Sequence, residues 1–522
     1  MLRTFHSTGR NLGRLWAIAR SFAQHDALFL LEIHPAGRSA ARAAKMLWRP
    51  RKDVAGLRPG ERLALALTAL GPTFIKFGQA LSIRADLLGE QVAADLTRLQ
   101  DRLPPFPFAQ AQATIEEDFG VPLRTLYTSF DEQPVAAASI AQVHFAVDTD
   151  GKDVAVKVLR PGVKAAFARD IDALLWLAEL AERHAPQLIR LKPVEVVRTF
   201  AESVRIEMDL RFEAAAAQEM GENFAGDSAF RVPGVDWQRT AERVLTLERV
   251  YGVRVDDHAA VAATGVDSVG LVRTAAEVFF KMVFRHGFFH ADMHPGNLFV
   301  APDGMLIGMD FGIMGRVDAA TQKTLGEMLL GFLTRDYRRV AEVHIEAGYV
   351  PADKNVDAFA QAARSIAEPI LGKPIAEISI ARLLGQLFQI TETFEMETQP
   401  QLLLLQKSML LAEGVGRTLA PNVNMWELAQ PLIEGWMRER LGPEGKVADA
   451  VGTAMDTLER IPRIVDRVDA ITADMARGGL KLHPDTARAL RGEEPGQRRG
   501  LHWMVWAPWV VVAGLLAVLI LR

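Results

Sequence analysis

The chain has 522 residues, a formal net charge of −4 and zero cysteines. Its length predicts roughly two or three structural units rather than one core. The lack of Cys excludes disulfides, thiol catalysis and cysteinyl zinc and suits a reducing compartment, while Lys and Arg spread without a long basic block argue against a nucleic-acid partner.

Residues 1–25 carry Arg3, Arg10, Arg14 and Arg20 among Leu2, Phe5, Leu12, Leu15, Trp16 and Ile18, with no acid before Asp26. Three readings share this chemistry: an amphipathic helix on an anionic membrane surface, a mitochondrial transit peptide, and a solvated first helix. No uninterrupted apolar stretch follows the first arginines, so the pattern is not that of a secretory signal. Residues 27–115 predict helices, from the apolar spacing in Leu63-Ala64-Leu65-Ala66-Leu67 and in Phe74, Phe77 and Leu81. Leu103-Pro104-Pro105-Phe106-Pro107 closes that region, because successive prolines force extended backbone.

The period then changes. Residues 142–147 and 154–158 predict strands joined by a hairpin turn at Asp148-Thr149-Asp150-Gly151. Helices are expected over 164–184 and 193–222, a short strand over 243–250, and a helix over 268–286. A second hairpin, 297–300 with 305–309, turns at Pro302-Asp303-Gly304. Residues 318–480 predict helix with breaks near prolines. The last feature, 503–521, is 19 residues without a charge, preceded by Arg498 and Arg499 and opened by Trp503, Trp506 and Trp509. That is enough to span a hydrocarbon core of about 30 Å, and the basic flank puts the upstream chain on the cytoplasmic side; a buried C-terminal helix is the alternative. The expected organisation is a helical extension (1–115), a small mixed lobe (116–250), a helical lobe (251–440), a helical linker (441–500) and an anchor (503–521), of class α+β.

The residues that carry chemistry lie in the two hairpins. Alternation in Val154-Ala155-Val156-Lys157-Val158 sets Lys157 on the face opposite Val156 and Val158, where its ammonium can enter a cleft. His290-Ala291-Asp292-Met293-His294-Pro295-Gly296-Asn297 is followed by Asp310-Phe311-Gly312, with Asn297 five residues past Asp292 and Asp310 thirteen past Asn297. This is the protein-kinase order of catalytic-loop Asp, metal-binding Asn, hairpin and metal-binding Asp. The hairpin returns the chain, so Asn297 and Asp310 can present hard oxygens to one Mg²⁺. A zinc cluster of His290, Asp292 and His294 is the rival reading, but it leaves Asn297 and Asp310-Phe311-Gly312 unexplained. Glu207, Asp209 and Glu213 offer acids to Lys157; on one helix Glu207 and Asp209 stand about 200° apart, so they face one ligand only if the helix is distorted.

Where an ordinary kinase has a glycine-rich loop, this chain has Ala136, Ala137, Ala138, Ser139, Ile140, Ala141, Gln142, Val143 and His144. Methyl groups there restrict both positive φ and close backbone approach. The set resembles the UbiB/ADCK family of atypical kinase-like proteins linked to ubiquinone biosynthesis, in its bacterial branch. The resemblance, over about 60–440, rests also on Lys76-Phe77-Gly78-Gln79, Leu99-Gln100-Asp101, Arg160-Pro161-Gly162 and Glu207-Met208-Asp209. It departs at Leu159, often Gln in the family, and at Tyr251, often Asp.

The resemblance implies a bilobal kinase-like fold whose helical extension caps the active site, with Lys76 and Gln79 beside Glu207 and Asp209 as a regulatory lock. It implies ATP or ADP held by residues 136–144, Lys157 and Glu248 on the adenine-side strand. Glu213 would orient Lys157, Mg²⁺ would sit on Asn297 and Asp310, and Asp292 would serve the acceptor. It further implies an ATPase acting on or near polyprenylphenol and quinone intermediates at the inner membrane, with other ubiquinone-biosynthesis proteins as partners. The alternatives are a nucleotide-gated assembly pseudokinase without essential turnover and a true protein kinase. A hydroxylase lacks support, since no Gly-x-Gly-x-x-Gly follows a strand and no further two-His-one-carboxylate set is present.

Overall fold

The computed structural model describes residues 2–441, except 30–34, 83–87, 97–98, 100–102, 185–191 and much of 372–421. The chain divides into compact units at 1–438 and 439–522, and the first holds the described elements up to the last turn of the final helix. Among the described residues the leading helices are Leu2–Gln24, Pro35–Leu47, Pro59–Leu70, Pro72–Ser82 and Glu90–Leu96. Pro59 opens the third, where its missing N–H costs nothing, and Glu61 caps it by accepting from Arg58 N at 2.9 Å. Gly71, at φ +99°, makes the turn into Pro72. Leu63, Ala66, Leu67 and Leu70 then line one buried face and join Ile18, Phe74 and Leu96 in a core shared with Phe167, Leu174 and Phe200. The first helix turns inward from Arg14, whose guanidinium holds Asp170 at 2.6 and 2.8 Å and Leu70 O at 2.7 Å. That half of the helix is therefore packed on the protein.

The small lobe is one antiparallel sheet built from β1 (Tyr127–Phe130), β2 (Ala136–Ala137), β3 (Ala141–Asp148), β4 (Asp153–Leu159) and β6 (Val244–Glu248), ordered β1-β3-β4-β6 with β2 on β3. Asp148 Oδ1 accepts from the amides of Asp150 and Lys152, both at 2.8 Å, and Gly151 sits at φ +80°, which makes the expected hairpin turn. Val154, Val156 and Val158 face a core with Phe106, Ala111, Ile115, Tyr127 and Val244. The Phe108–Phe119 helix thus packs on the sheet. The expected helix over 193–222 is two, Pro193–Glu207 and Leu210–Asn223, because Asp209 leaves helical geometry at φ −124° and caps the second by accepting from Arg211 N.

The second lobe opens with Ser268–Phe280 and a π-helical turn, Lys281–Arg285. A four-stranded sheet follows the order β5 (Phe230–Arg231), β10 (Leu306–Gly308), β9 (Leu298–Val300) and β7 (Val253–Arg254). β8 (Phe288–His290) pairs antiparallel with β11 (Met314–Arg316). The helices Ala319–Leu333, Tyr337–Glu346 and Val356–Ala367 are each capped by an acid or amide: Asp318, Asp336 and Asn355. Met425–Leu441 docks Trp436 against Gly326 and donates Trp436 Nε1 to Phe284 O at 2.8 Å. Among the described residues no helix is long and apolar enough to cross a membrane, and the expected anchor at 503–521 lies outside them.

Candidate active site

Three elements converge on Lys157. It projects from β4 on the face opposite the valines, and its Nζ donates to Glu213 Oε1 and Oε2 at 2.8 and 2.9 Å and to Asp310 Oδ1 at 3.1 Å. Glu213 comes from the first turn of the Leu210–Asn223 helix, and Asp310 from the turn after β10, at φ +60°. A non-glycine residue there is strained backbone of the kind that persists where geometry is needed. Burial works against the Lys157 charge, but Asp310 and Glu213 outweigh it and hold the ammonium above its usual range. Burial pushes Glu213 up to about 7 despite the opposing Lys157 charge. Lys157 holds Asp310 well below the carboxylate range, and the charge of Lys76 adds to that. The result is a cation between a buried acid and a half-exposed, fully ionised one.

The loop after β8 is braced by His290. Its Nε2 meets Met309 O at 3.0 Å and its Nδ1 accepts from Asp292 N at 3.1 Å, so both ring nitrogens are engaged. His294 Nδ1 accepts from Gly296 N at 3.0 Å. The zinc reading therefore falls, and among the described residues no group of three His, Asp or Glu is placed for a metal ion. Asn297 Nδ2 donates to Asp292 O at 3.1 Å, which leaves Oδ1 uncommitted among the described residues, and Met309 N donates to Asn297 O at 2.9 Å. Asn297 is thus bonded to the residue next to Asp310. One amide oxygen and one ionised carboxylate suit Mg²⁺, which takes few protein ligands and completes its shell with phosphate and water.

The alanine segment divides in two. Register pairs Ala141 with Leu159 and Val143 with Lys157, so Ala141 and Val143 share the Lys157 face. Gln142 and His144 point to the other: Gln142 is bonded to Phe106 N and O at 2.9 and 3.2 Å and to His144 Nε2 at 2.8 Å, while His144 Nδ1 meets Asp131 O at 2.8 Å. Their side chains hold the sheet on the face away from Lys157, as the period of two requires. Ala136 and Ala137 pair back on Val143 and Gln142, and Ala138 N donates to Ala141 O. Arg160 clasps the loop, accepted by Ile140 O from its amide at 2.7 Å and by Ala138 O and Pro104 O from its guanidinium. Ser139 is fully buried and its Oγ has no partner among the described residues. A buried hydroxyl without a partner calls for a hydrogen-bonding group that the described residues do not supply. The Glu248 carboxylate is held by Arg231 Nη1 at 2.9 Å and Gly234 N at 3.2 Å. Tyr251, the departure from the family pattern, donates to Asp153 Oδ2.

From the extension, Lys76 Nζ lies 3.1 Å from Glu207 Oε2. Asp209 instead takes Arg211, at 2.7 Å, because the break in the helix turns the two acids to separate partners. Gln79 Nε2 donates to Leu99 O at 3.3 Å, and Gly78 lets that helix approach: a Cβ there would lie 2.4 Å from Leu99 Cδ1 and 2.7 Å from Leu67 Cδ1. One contact had no expectation behind it. Ser408 Oγ donates to His290 O at 3.1 Å across 118 residues; a lone serine in the largely apolar stretch Leu402 to Leu411 was the available signal.

Residues 98–344 match the ABC1 atypical kinase-like domain and residues 363–424 the UbiB helical domain. A probable protein kinase UbiB of Pseudomonas entomophila is 41% identical over 513 residues, covering 97% of this chain and 92% of that protein. The chain belongs to the UbiB family. The probable protein kinase UbiB of Aeromonas salmonicida is 44% identical over 437 residues, 83% of this chain and 80% of its own. Among solved structures, Rv3197 of Mycobacterium tuberculosis, determined in complex with erythromycin, aligns with a TM-score of 0.50 and 25% identity over 70% of this chain and 91% of its own. The kinase-like α+β fold of the family is therefore shared by this chain.

Proposed function

We propose that this chain is a Mg²⁺-dependent atypical kinase or ATPase that supports ubiquinone biosynthesis at the cytoplasmic face of a bacterial inner membrane, on or near polyprenylphenol intermediates. The observation that carries the reading is Lys157 held at once by Glu213 and Asp310 within 3.1 Å. In phosphoryl transfer the protein positions and neutralises more than it reacts. Lys157, kept charged, would hold nucleotide phosphate oxygens; Glu213 aims it; Ser139 Oγ offers a hydrogen bond beside the loop. Asn297 and Asp310 would hold Mg²⁺, which when bound neutralises charge on the phosphates. Asp292, on a loop fixed by His290 and Asn297, would orient or deprotonate the acceptor.

The membrane part of the proposal has separate support. Trp16, Met46 and Leu47 are 52%, 84% and 56% exposed, and Trp16 meets Trp48 edge-on at 5.5 Å. Exposed Arg20, Arg42, Arg49 and Lys52 accompany them. Aromatic and apolar side chains amid cations suit an anionic lipid surface, with the uncharged 503–521 stretch as a second attachment. A second reading, an assembly pseudokinase, draws on the Lys76 to Glu207 pair and the methyl-lined loop. Mass spectrometry of quinone precursors in a null strain separates them. Precursors should accumulate with Lys157→Ala, Asp310→Asn or Asp292→Asn; full restoration by Asp292→Asn would favour the assembly role.

A further inference from the structure

We infer that Ser408, in the UbiB helical domain, is a positioning residue that clamps the catalytic loop through the His290 carbonyl. The inference rests on the proposed hydrolytic activity only for its kinetic test. In the β8–β11 ladder, Ala291 N donates to Ile313 O at 3.0 Å and Val317 N to Gly287 O at 2.9 Å. Hydrogen-bonded positions alternate along an antiparallel pair, so His290, opposite Met314, occupies a non-bonded position. Its carbonyl faces away from β11. A buried carbonyl needs a donor from elsewhere, and Ser408 Oγ lies 3.1 Å from it. Ser408 is itself fully buried.

Its Oγ is also 3.0 Å from Leu404 O, the usual back-bond of a helical serine. A helical carbonyl, however, already takes the amide four residues on. Among the described residues His290 O has no such supply, which favours it for the hydroxyl proton. The peptide plane between His290 and Ala291 is then fixed at both ends, by Ile313 O on the amide and Ser408 on the carbonyl, one residue before Asp292. His290 adds a third point by accepting from Asp292 N. The helical domain thereby acts on the orientation of Asp292 through the backbone of its loop.

The test uses the full chain. Ser408→Ala should lower kcat for ATP hydrolysis about tenfold with KM for ATP little changed, as loss of alignment does, while Ser408→Thr keeps the hydroxyl and restores turnover. Parental kcat in Ser408→Ala, or a loss in Ser408→Thr equal to that in Ser408→Ala, would overturn the inference. Should the alanine variant fail to fold, Ser408→Cys keeps the volume with a weak donor, and parental turnover in it would also overturn the inference. Amide exchange gives a readout free of activity: peptides over 288–294 should exchange faster in Ser408→Ala than in the parent, and equal rates would contradict the clamp. A parent without hydrolysis but with this exchange difference would sink the proposed activity and leave the clamp standing.

Discussion

Lys157 is worth following first, because its two carboxylates do different work. Glu213 is buried and bidentate, so it sets direction; Asp310 is half-exposed and, in the proposed function, would exchange its bond to lysine for one to Mg²⁺. Lys157→Met should therefore lower hydrolysis at least 100-fold, the order expected when a fixed charge on the transferred group is removed, measured as kcat with bound nucleotide quantified separately. Away from the site, His344 lies against Tyr349 and Phe359 and its Nδ1 meets Val340 O at 2.7 Å. Burial lowers its pKa in the folded chain. A histidine with a depressed folded pKa contributes stability above the ordinary value of about 6.5, and that contribution is lost as pH falls through the folded value. Melting temperature should fall from about pH 7 to pH 5.5, and His344→Gln should flatten that slope. An unchanged slope would contradict the assignment.

At the scale of elements, close packing of a helix on an aromatic ring decides how the second lobe holds together. A Cβ on Gly326 would lie 2.3 Å from Trp436 Cζ3, in a buried contact that ties Met425–Leu441 to the body. Gly326→Ala should cost about 1–3 kcal/mol by overpacking, despite the better helix propensity of alanine, read as a lowered melting temperature. The elements themselves were legible where period and turn chemistry agreed. Both strands around Lys157 and the hairpin between Asn297 and Asp310 lie within a residue or so of their expected bounds, since Asp148, Gly151 and Gly304 dictate the turns. The break at Asp209 was not, because a single capping acid inside a helical pattern looks like an exposed helical acid until its partner is known. Gln142 and His144 read as part of the nucleotide loop, although the alternation that places Lys157 puts them on the opposite face.

Across the whole molecule, the extension and the helical domain reach the site from opposite ends of the sequence. Lys76 bonds Glu207 and lowers the Asp310 pKa, and Ser408 bonds the catalytic loop. Neither contact follows from spacing, since each joins segments more than 100 residues apart; Lys76 was identifiable only through family resemblance. The proposed lipid contact rests on the exposed Trp16, Met46 and Leu47 with the exposed Arg42 and Arg49. With 501–522 removed, the chain should still sediment with vesicles containing anionic phospholipid, and the combined change Arg42→Glu and Arg49→Glu should weaken that binding in a salt-dependent way. Equal sedimentation of the two proteins would remove this surface from the account. The most direct test of the central claim is ATP hydrolysis by the full chain with and without Mg²⁺, compared with Asp310→Asn. Turnover should require Mg²⁺ and be abolished by Asp310→Asn; equal turnover in that variant would contradict Mg²⁺-dependent hydrolysis at this site.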